Sequence, residues 1–569
     1  MEQMVRMRQK GATVRFLDRF GGFCATETPV AGQFAWEENL SARRYPALST
    51  RLPRREVNVT GAEGGLLAKE HLWYVSGSKL RHDDVAVELG LTEGEKQMVS
   101  MGAYLLVWPD KKYVNTADIT DCGSMEQVNA VTSAVVTLCD QSGSDITCTR
   151  SATAPANPTG GQRWLDTSVT PPELKAWRSD SAAWEVESPT YVKLASAGIG
   201  VGLQSGDGLE VSGFSNESLN GVFPAAAAEN DFVVMPGMVS ATLNCYGQIT
   251  VARTVPDMDF VTECDNRIWG CRYGTVEGRQ VNEIYACKLG DFRNWRCYQG
   301  LSTDSYAAAR GSDGPWTGAV TYGSQPLFFK ANVLEKVYPS ATGAHRIVSL
   351  GCRGVAAGCH RSLQIVDETL YYLSPQGVCA YTGSLPRAVS ADLGRVSYDS
   401  AAAGGWDGCY YISMRRSDNQ TWHLFTYDVQ RRIWHRQDDT HAVAFALWGG
   451  QLYCLTAEGK LFAMDGGDGA APMDWAAESG PLQARAPGSQ YVRRFVVRCE
   501  TQGRFRLQIR YDDGPWEKGG TYEGHGQSSF VLPVQPRRCS AVYLRLSGNR
   551  PCRLDAIAAY WEGGSDQLW

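Results

Sequence analysis

From about residue 60 onward one pattern recurs along the chain: a short run of aromatic or β-branched residues, a turn, and a second such run. The first is 71–75, HLWYV; the next, 104–108, YLLVW, turns at Pro109-Asp110 into 112–114, KYV. Further on come 266–271 with 283–286, then 326–330, 370–373 with 377–381, 409–412 with 424–427, and 451–454 with 460–464. Runs this short, bounded by Gly, Asn, Asp and Pro, predict strands joined as hairpins. About seven such units recur at roughly 40 to 50 residues, the period of propeller blades, once an interruption at 128–243 is set aside. A lone hairpin cannot bury its own apolar face, so radial stacking of blades is the physical way to cover it.

The pattern changes in three places. Residues 1–55 show weak periodicity, with a Gly21-Gly22 break and a Pro29 turn, and predict an extended arm that lies along other surfaces. Residues 128–243 are rich in Ser, Thr, Ala and Gly and read as small β modules inserted in a blade loop, where an insertion costs little. From 471 to 569 apolar and polar residues alternate strictly, as in 505–511, FRLQIRY, and 542–546, VYLRL, which predicts an antiparallel sandwich. The expected order is therefore arm (1–55), first part of the propeller (56–127), insertion (128–243), remainder of the propeller (244–470) and sandwich (471–569).

Composition narrows the function classes. Sixty glycines and an aromatic tenth suit many tight hairpins, and 569 residues exceed what one core can hold. The net charge of −6 disfavours a general nucleic-acid binder. Locally, 1–55 holds ten basic residues (Arg6, Arg8, Lys10, Arg15, Arg19, Arg43, Arg44, Arg51, Arg54, Arg55) against five acids. That excess reads as a solvated arm or a subunit contact, with phosphate contact as the alternative. No apolar run is long enough for a membrane-spanning helix, and Met1 to Lys10 has no signal-peptide core, so membrane insertion is not expected. The seventeen cysteines form no CxxC pair; the closest metal-type grouping is Cys352, Cys359 and His360, read as buried small hydrophobes rather than ligands.

The search for catalytic chemistry finds no nucleophile elbow, phosphate loop or zinc-protease motif. The acids considered are Asp367 and Glu368, taken to precede a strand, and Asp418. The phrase 417–422, SDNQTW, resembles the Asp-box turn of sialidase propellers but has the wrong spacing and lacks the glycine. Neighbouring strand residues diverge, so the doublet is not expected to converge on a sugar as a glycosidase pair would. Gly206-Asp207-Gly208 reads as a hairpin loop. The expectation at this level is a non-enzymatic chain without catalytic, cofactor or metal residues.

Two resemblances carry more. In the insertion, 161–168, GQRWLDTS, followed by 172–177, PELKAW, and Ala183-Trp184 resembles a tryptophan module of phage tail-fibre and tail-associated proteins. Trp177 and Trp184 are the aromatic candidates for a sugar contact. More broadly, the glycine-broken N-terminal stretch, 289–295 (LGDFRNW), 315–320 (PWTGAV) and 425–436 (FTYDVQRRIWHR) look like the tail nozzle and DNA-stabilisation proteins of short-tailed phages. In that family the last phrase is a strand that turns after its Asp, with the Trp starting the next strand. The insertion and the separate C-terminal sandwich depart from the family. The resemblance implies a virion protein of the phage tail, made in the host cytoplasm. It implies a homo-oligomeric, sixfold ring next to the portal or adaptor and other tail proteins, passing genomic DNA without sequence-specific binding and helping retain and release it. The alternative expectation is a peripheral tail or baseplate protein that binds host-surface glycans.

Overall fold

The computed structural model describes residues 13–59, 61–276, 278–467, 473–483 and 490–563. The chain is all-β, a β-propeller-type fold with an inserted β region and a C-terminal antiparallel sandwich. Its helical content among the described residues is three short 3-10 turns. None is long and apolar enough to cross a membrane. Two compact units make up the chain: 1–95 with 329–334 and 350–569, and 96–328 with 335–349.

The first unit holds four blade sheets of four strands each. Sheets 66–88, 364–388 and 398–438 run in simple chain order. The fourth takes Ala442–Trp448, Gln451–Thr456 and Leu461–Ala463 and is completed by Arg55–Val57 from the other end of the chain, paired Val57 to Leu461 and Arg55 to Ala463. The sheets stack through their middle strands, which are buried on both faces. Tyr411, Leu424, Leu452 and Cys454 lie in one seam. Leu66, Tyr74, Tyr453 and Leu455 lie in the next. This double burial is why the middle strands read as continuous apolar runs in the sequence.

The same unit contains the sandwich, two seven-stranded sheets. Residues 13–57, expected as an extended arm, supply much of it. Thr13–Leu17 pairs with Cys552–Gly563, Gln33–Glu38 with Trp475–Ser479, and Leu48–Thr50 with Cys552–Gly563. Phe20, Phe34, Leu40 and Leu48 are buried in the core with Trp475, Phe495, Phe505 and Trp561. The segment thus packs within its own chain, a correction to the sequence reading; its partners lie hundreds of residues away and leave no local signal. The basic excess is also partly used internally: Arg51 and Arg54 both reach Asp438, at 3.4 and 2.9 Å, and Arg43 reaches Asp407 at 3.2 Å. Arg6, Arg8 and Lys10 lie outside the described residues.

The second unit contains blade sheets 97–124 and 260–309, and the greater part of a third at 318–351. Leu106, Trp108, Ile268, Phe292 and Trp295 join the first two, and Trp269, Ile284, Trp316 and Phe328 continue the core. The inserted region forms a seven-stranded sheet around the long pair Gln127–Cys139 and Leu243–Arg253. It has its own apolar core, including Val136, Leu194, Val233 and Ile249. A separate four-stranded sheet, 149–186, branches from it and carries the tryptophan module.

Candidate functional site

The resemblance motifs prove to be fold-determining. Strand Trp422–Asp428 ends at Asp428, and Ile433–Asp438 begins one residue before Trp434. Asp428 holds the intervening turn: Oδ1 accepts from the Arg431 amide at 2.8 Å and Oδ2 pairs with the Arg431 guanidinium at 2.7 Å. In 289–295, Phe292 and Trp295 are buried, and Asn294 holds the inserted sheet. Its Nδ2 donates to the Gly206 carbonyl at 2.8 Å and its Oδ1 accepts from the Gly208 amide at 3.0 Å. Asp207 between them is fully buried and paired with Arg253 at 2.8 Å. Burial raises its carboxyl above the usual range despite that arginine. The loop expected at 206–208 is therefore also an anchor.

In the insertion, Trp177 faces Trp184 across a strand pair, and Trp184 also meets Trp164, each at 5.5 Å between ring centres. Asp166 of the same motif takes Lys175 at 2.8 Å and Ser168, which hold its carboxyl down to about 2. The three rings pack on one another, with Trp164 buried and Trp177 and Trp184 half-buried. Cys352, Cys359 and His360 are not drawn into a ligand set. Cys359 is buried, its thiol pushed up to about 12 by desolvation, and His360 Nε2 pairs with Glu95 at 3.0 Å.

The chemically distinctive place is a cavity of about 360 Å³ in the first unit. Its walls come from the turn ends of sheets 364–388 and 398–438 and from residues 41–52. Asp367 reaches it because Asp367 and Glu368 form the two-residue turn between Gln364–Val366 and Thr369–Ser374, both with left-handed φ of 44° and 61°. They are not strand neighbours, so the divergence expected of the doublet does not apply. Asp418 is elsewhere, exposed and paired with Arg416, whose hydrogen bonds hold its carboxyl low.

At the cavity wall stands His435, 2% exposed. Its Nδ1 lies 2.9 Å from Oε2 of Glu37, which is fully buried. Alternation brings this about: His435 faces Thr426 across the sheet, while Glu37 sits on Gln33–Glu38, laid over the blade by its pairing in the sandwich. Nδ1–H donates to the Glu37 carboxylate, and the other ring nitrogen is Nε2. That atom and Glu37 Oε1 have no protein partner among the described residues. The cavity wall also carries Asp367, Asp428, Gln437, Arg431, Arg43 and Trp406, over which Arg43 stacks at 5.5 Å. The arrangement can bind a polyhydroxylated or mixed-charge ligand beside an aromatic face. Sequence reasoning missed Glu37 and His435, which are 398 residues apart.

Fold and cavity together define a β-propeller-type chain with a polar, carboxylate-backed imidazole site. No protein-family model and no curated protein matches the sequence. Among solved structures, the exo-beta-1,3-galactanase of Phanerochaete chrysosporium is similar at 8% identity over 53% of this chain and 95% of that one, with a TM-score of 0.23. A glycoside hydrolase family 43 arabinoxylan arabinofuranohydrolase from Bacillus subtilis matches at 8% identity, 54% and 95% coverage, and a TM-score of 0.18. Phage phi92 endosialidase matches at 9% identity over 96% of this chain and 75% of that one, with a TM-score of 0.17. The matched structures being glycan-acting enzymes overturns the expectation of a non-enzymatic chain. At such TM-scores the likeness assigns no activity, substrate or residue role to this chain.

Proposed function

We propose that this chain is a structural subunit of a phage tail, forming a homo-oligomeric ring of the nozzle or hub through which genomic DNA passes. The observation that supports the reading is the 425–436 phrase, in which the first strand ends at Asp428, the chain turns, and the next strand opens at Ile433-Trp434. The net charge of −6 supports a passage that does not grip phosphates. Imaging of virions labelled on this chain tests it. A ring on the tail axis is expected; its absence from particles would sink the proposal.

A second reading is favoured by the cavity. Trp406 beside Asp367, Asp428 and Arg43 suits a carbohydrate, and a peripheral tail protein that binds host-surface glycans would use it so. Label at the tail periphery, with host polysaccharide binding lost in Trp406→Ala, is the outcome that reading requires.

A further inference from the structure

Away from the cavity, the sheet 66–88 gathers two imidazoles and a carboxylate. His71 opens strand His71–Ser76, and His82 closes Lys79–His82. Asp83 then begins the two-residue turn into Val85–Glu88, where Val85 faces His82. The neighbouring strands set Tyr74 opposite Arg81 and Val75 opposite Leu80. Continuing that register places His82 opposite Trp73, and His71, two residues before Trp73, shares its face. The rings meet accordingly. His82 is buried, with its ring centre 4.3 Å from that of His71 at 28° and 4.1 Å from that of Trp73 at 59°. Asp83 has a left-handed φ of 45°. Its Oδ2 lies 3.0 Å from His71 Nδ1 and 3.2 Å from His82 Nδ1, and the three donor atoms all fall within 4.8 Å of one another.

We infer that His71, His82 and Asp83 form a binding site for a divalent transition-metal ion, with Zn²⁺ as the best fit. Tetrahedral zinc with bonds of about 2.0–2.2 Å sets its ligand atoms roughly 3.3–3.5 Å apart, within a few tenths of an ångström of the two distances seen here. Two imidazoles and one carboxylate are the donor set of a borderline ion; calcium and magnesium prefer oxygen alone. The packing of His82 between His71 and Trp73 fixes one ligand in advance. His71 and Asp83 are 45% and 65% exposed in their side chains, so the remaining coordination position faces solvent. Three protein ligands and one open position make a site that can take water or a donor from another molecule. The competing account is one carboxylate oxygen accepting from two imidazole N–H groups. This inference does not rest on the tail reading.

The experiment titrates the chelator-stripped full chain with Co²⁺ and Zn²⁺, following the visible absorption of tetrahedral cobalt and the heat of zinc binding. The seventeen thiols can also take metal, so the readout is the difference between wild type and His71→Asn or Asp83→Asn. Both substitutions are at part-exposed positions, and metal-free melting checks the fold; His82 is left in place because it is buried. The expected result is one equivalent of metal lost, or bound more weakly by over the roughly 10- to 100-fold that follows loss of a supporting hydrogen bond. Equal stoichiometry and affinity in wild type and both variants would overturn the site, as would a wild type that binds no metal.

Discussion

The inserted region and the N-terminal segment both stand outside the blade repeat in sequence, yet they are built in opposite ways. The insertion begins and ends on one strand pair, Gln127 facing Arg253, and buries its own core of Val136, Leu194, Val233 and Ile249. Residues 13–57 have no core of their own: they contribute strands to both sandwich sheets and to a blade sheet, and they wall the cavity. A segment with a private core can be added or removed with limited consequence, whereas one that completes other cores cannot. The contrast also explains the site. Glu37 reaches His435 because the segment carrying it is woven between sandwich and blade.

The largest expected effect comes from deleting residues 1–57. The blade 442–463 then loses its fourth strand and the sandwich loses Phe20, Phe34, Leu40 and Leu48, so the protein should be insoluble or lack a cooperative melt. A truncated chain that melts like the full one would break the comparison outright. Next is Phe34→Ala, which empties a fully packed position and should cost about 3–5 kcal/mol in denaturant unfolding of the first unit. Glu37→Ala, which leaves the buried His435 donor without its acceptor, should cost about 1–3 kcal/mol. Glu37→Gln, which keeps an acceptor oxygen, should lose less, and equal losses would mean that the hydrogen bond contributes nothing.

A smaller effect is acid sensitivity through Asp438. Burial alone would raise its carboxyl, but Arg54, Arg51 and the hydrogen bonds from Thr440 outweigh this and hold it below the usual range. A depressed folded pKa means stability that is present above the unfolded carboxylate value and lost as pH falls through the folded one. Asp438→Asn should therefore flatten the dependence of melting temperature on pH in the acid range, relative to wild type. Unchanged slopes would remove Asp438 from the account. The smallest effect on the rest of the molecule is expected from replacing 128–252 by a short linker between Gln127 and Arg253, which are already paired. The first unit's melting should hardly move, although Asn294 loses its partners at Gly206 and Gly208. Loss of that transition would show that the insertion is not self-contained.

What the amino-acid order determined by itself was whatever is local and doubly buried. The middle strands of the blades, such as 370–373 and 409–412, are apolar on both faces and announce themselves. The turn at Asp428 and the tryptophan module likewise depend on neighbours a few residues away. Outer blade strands such as Val85–Glu88 and Arg387–Ala388 carry one wet face or two and leave a weaker trace. Tertiary structure alone decided where 13–57 goes, because a two- to six-residue strand is specified by the sheet that receives it. It also decided that Arg54 and Asp438 meet, that Asp367 turns into a cavity, and that Glu37 backs His435. Each pairing spans long stretches of chain, and its energy comes from shared burial, a property that no local pattern of residues encodes.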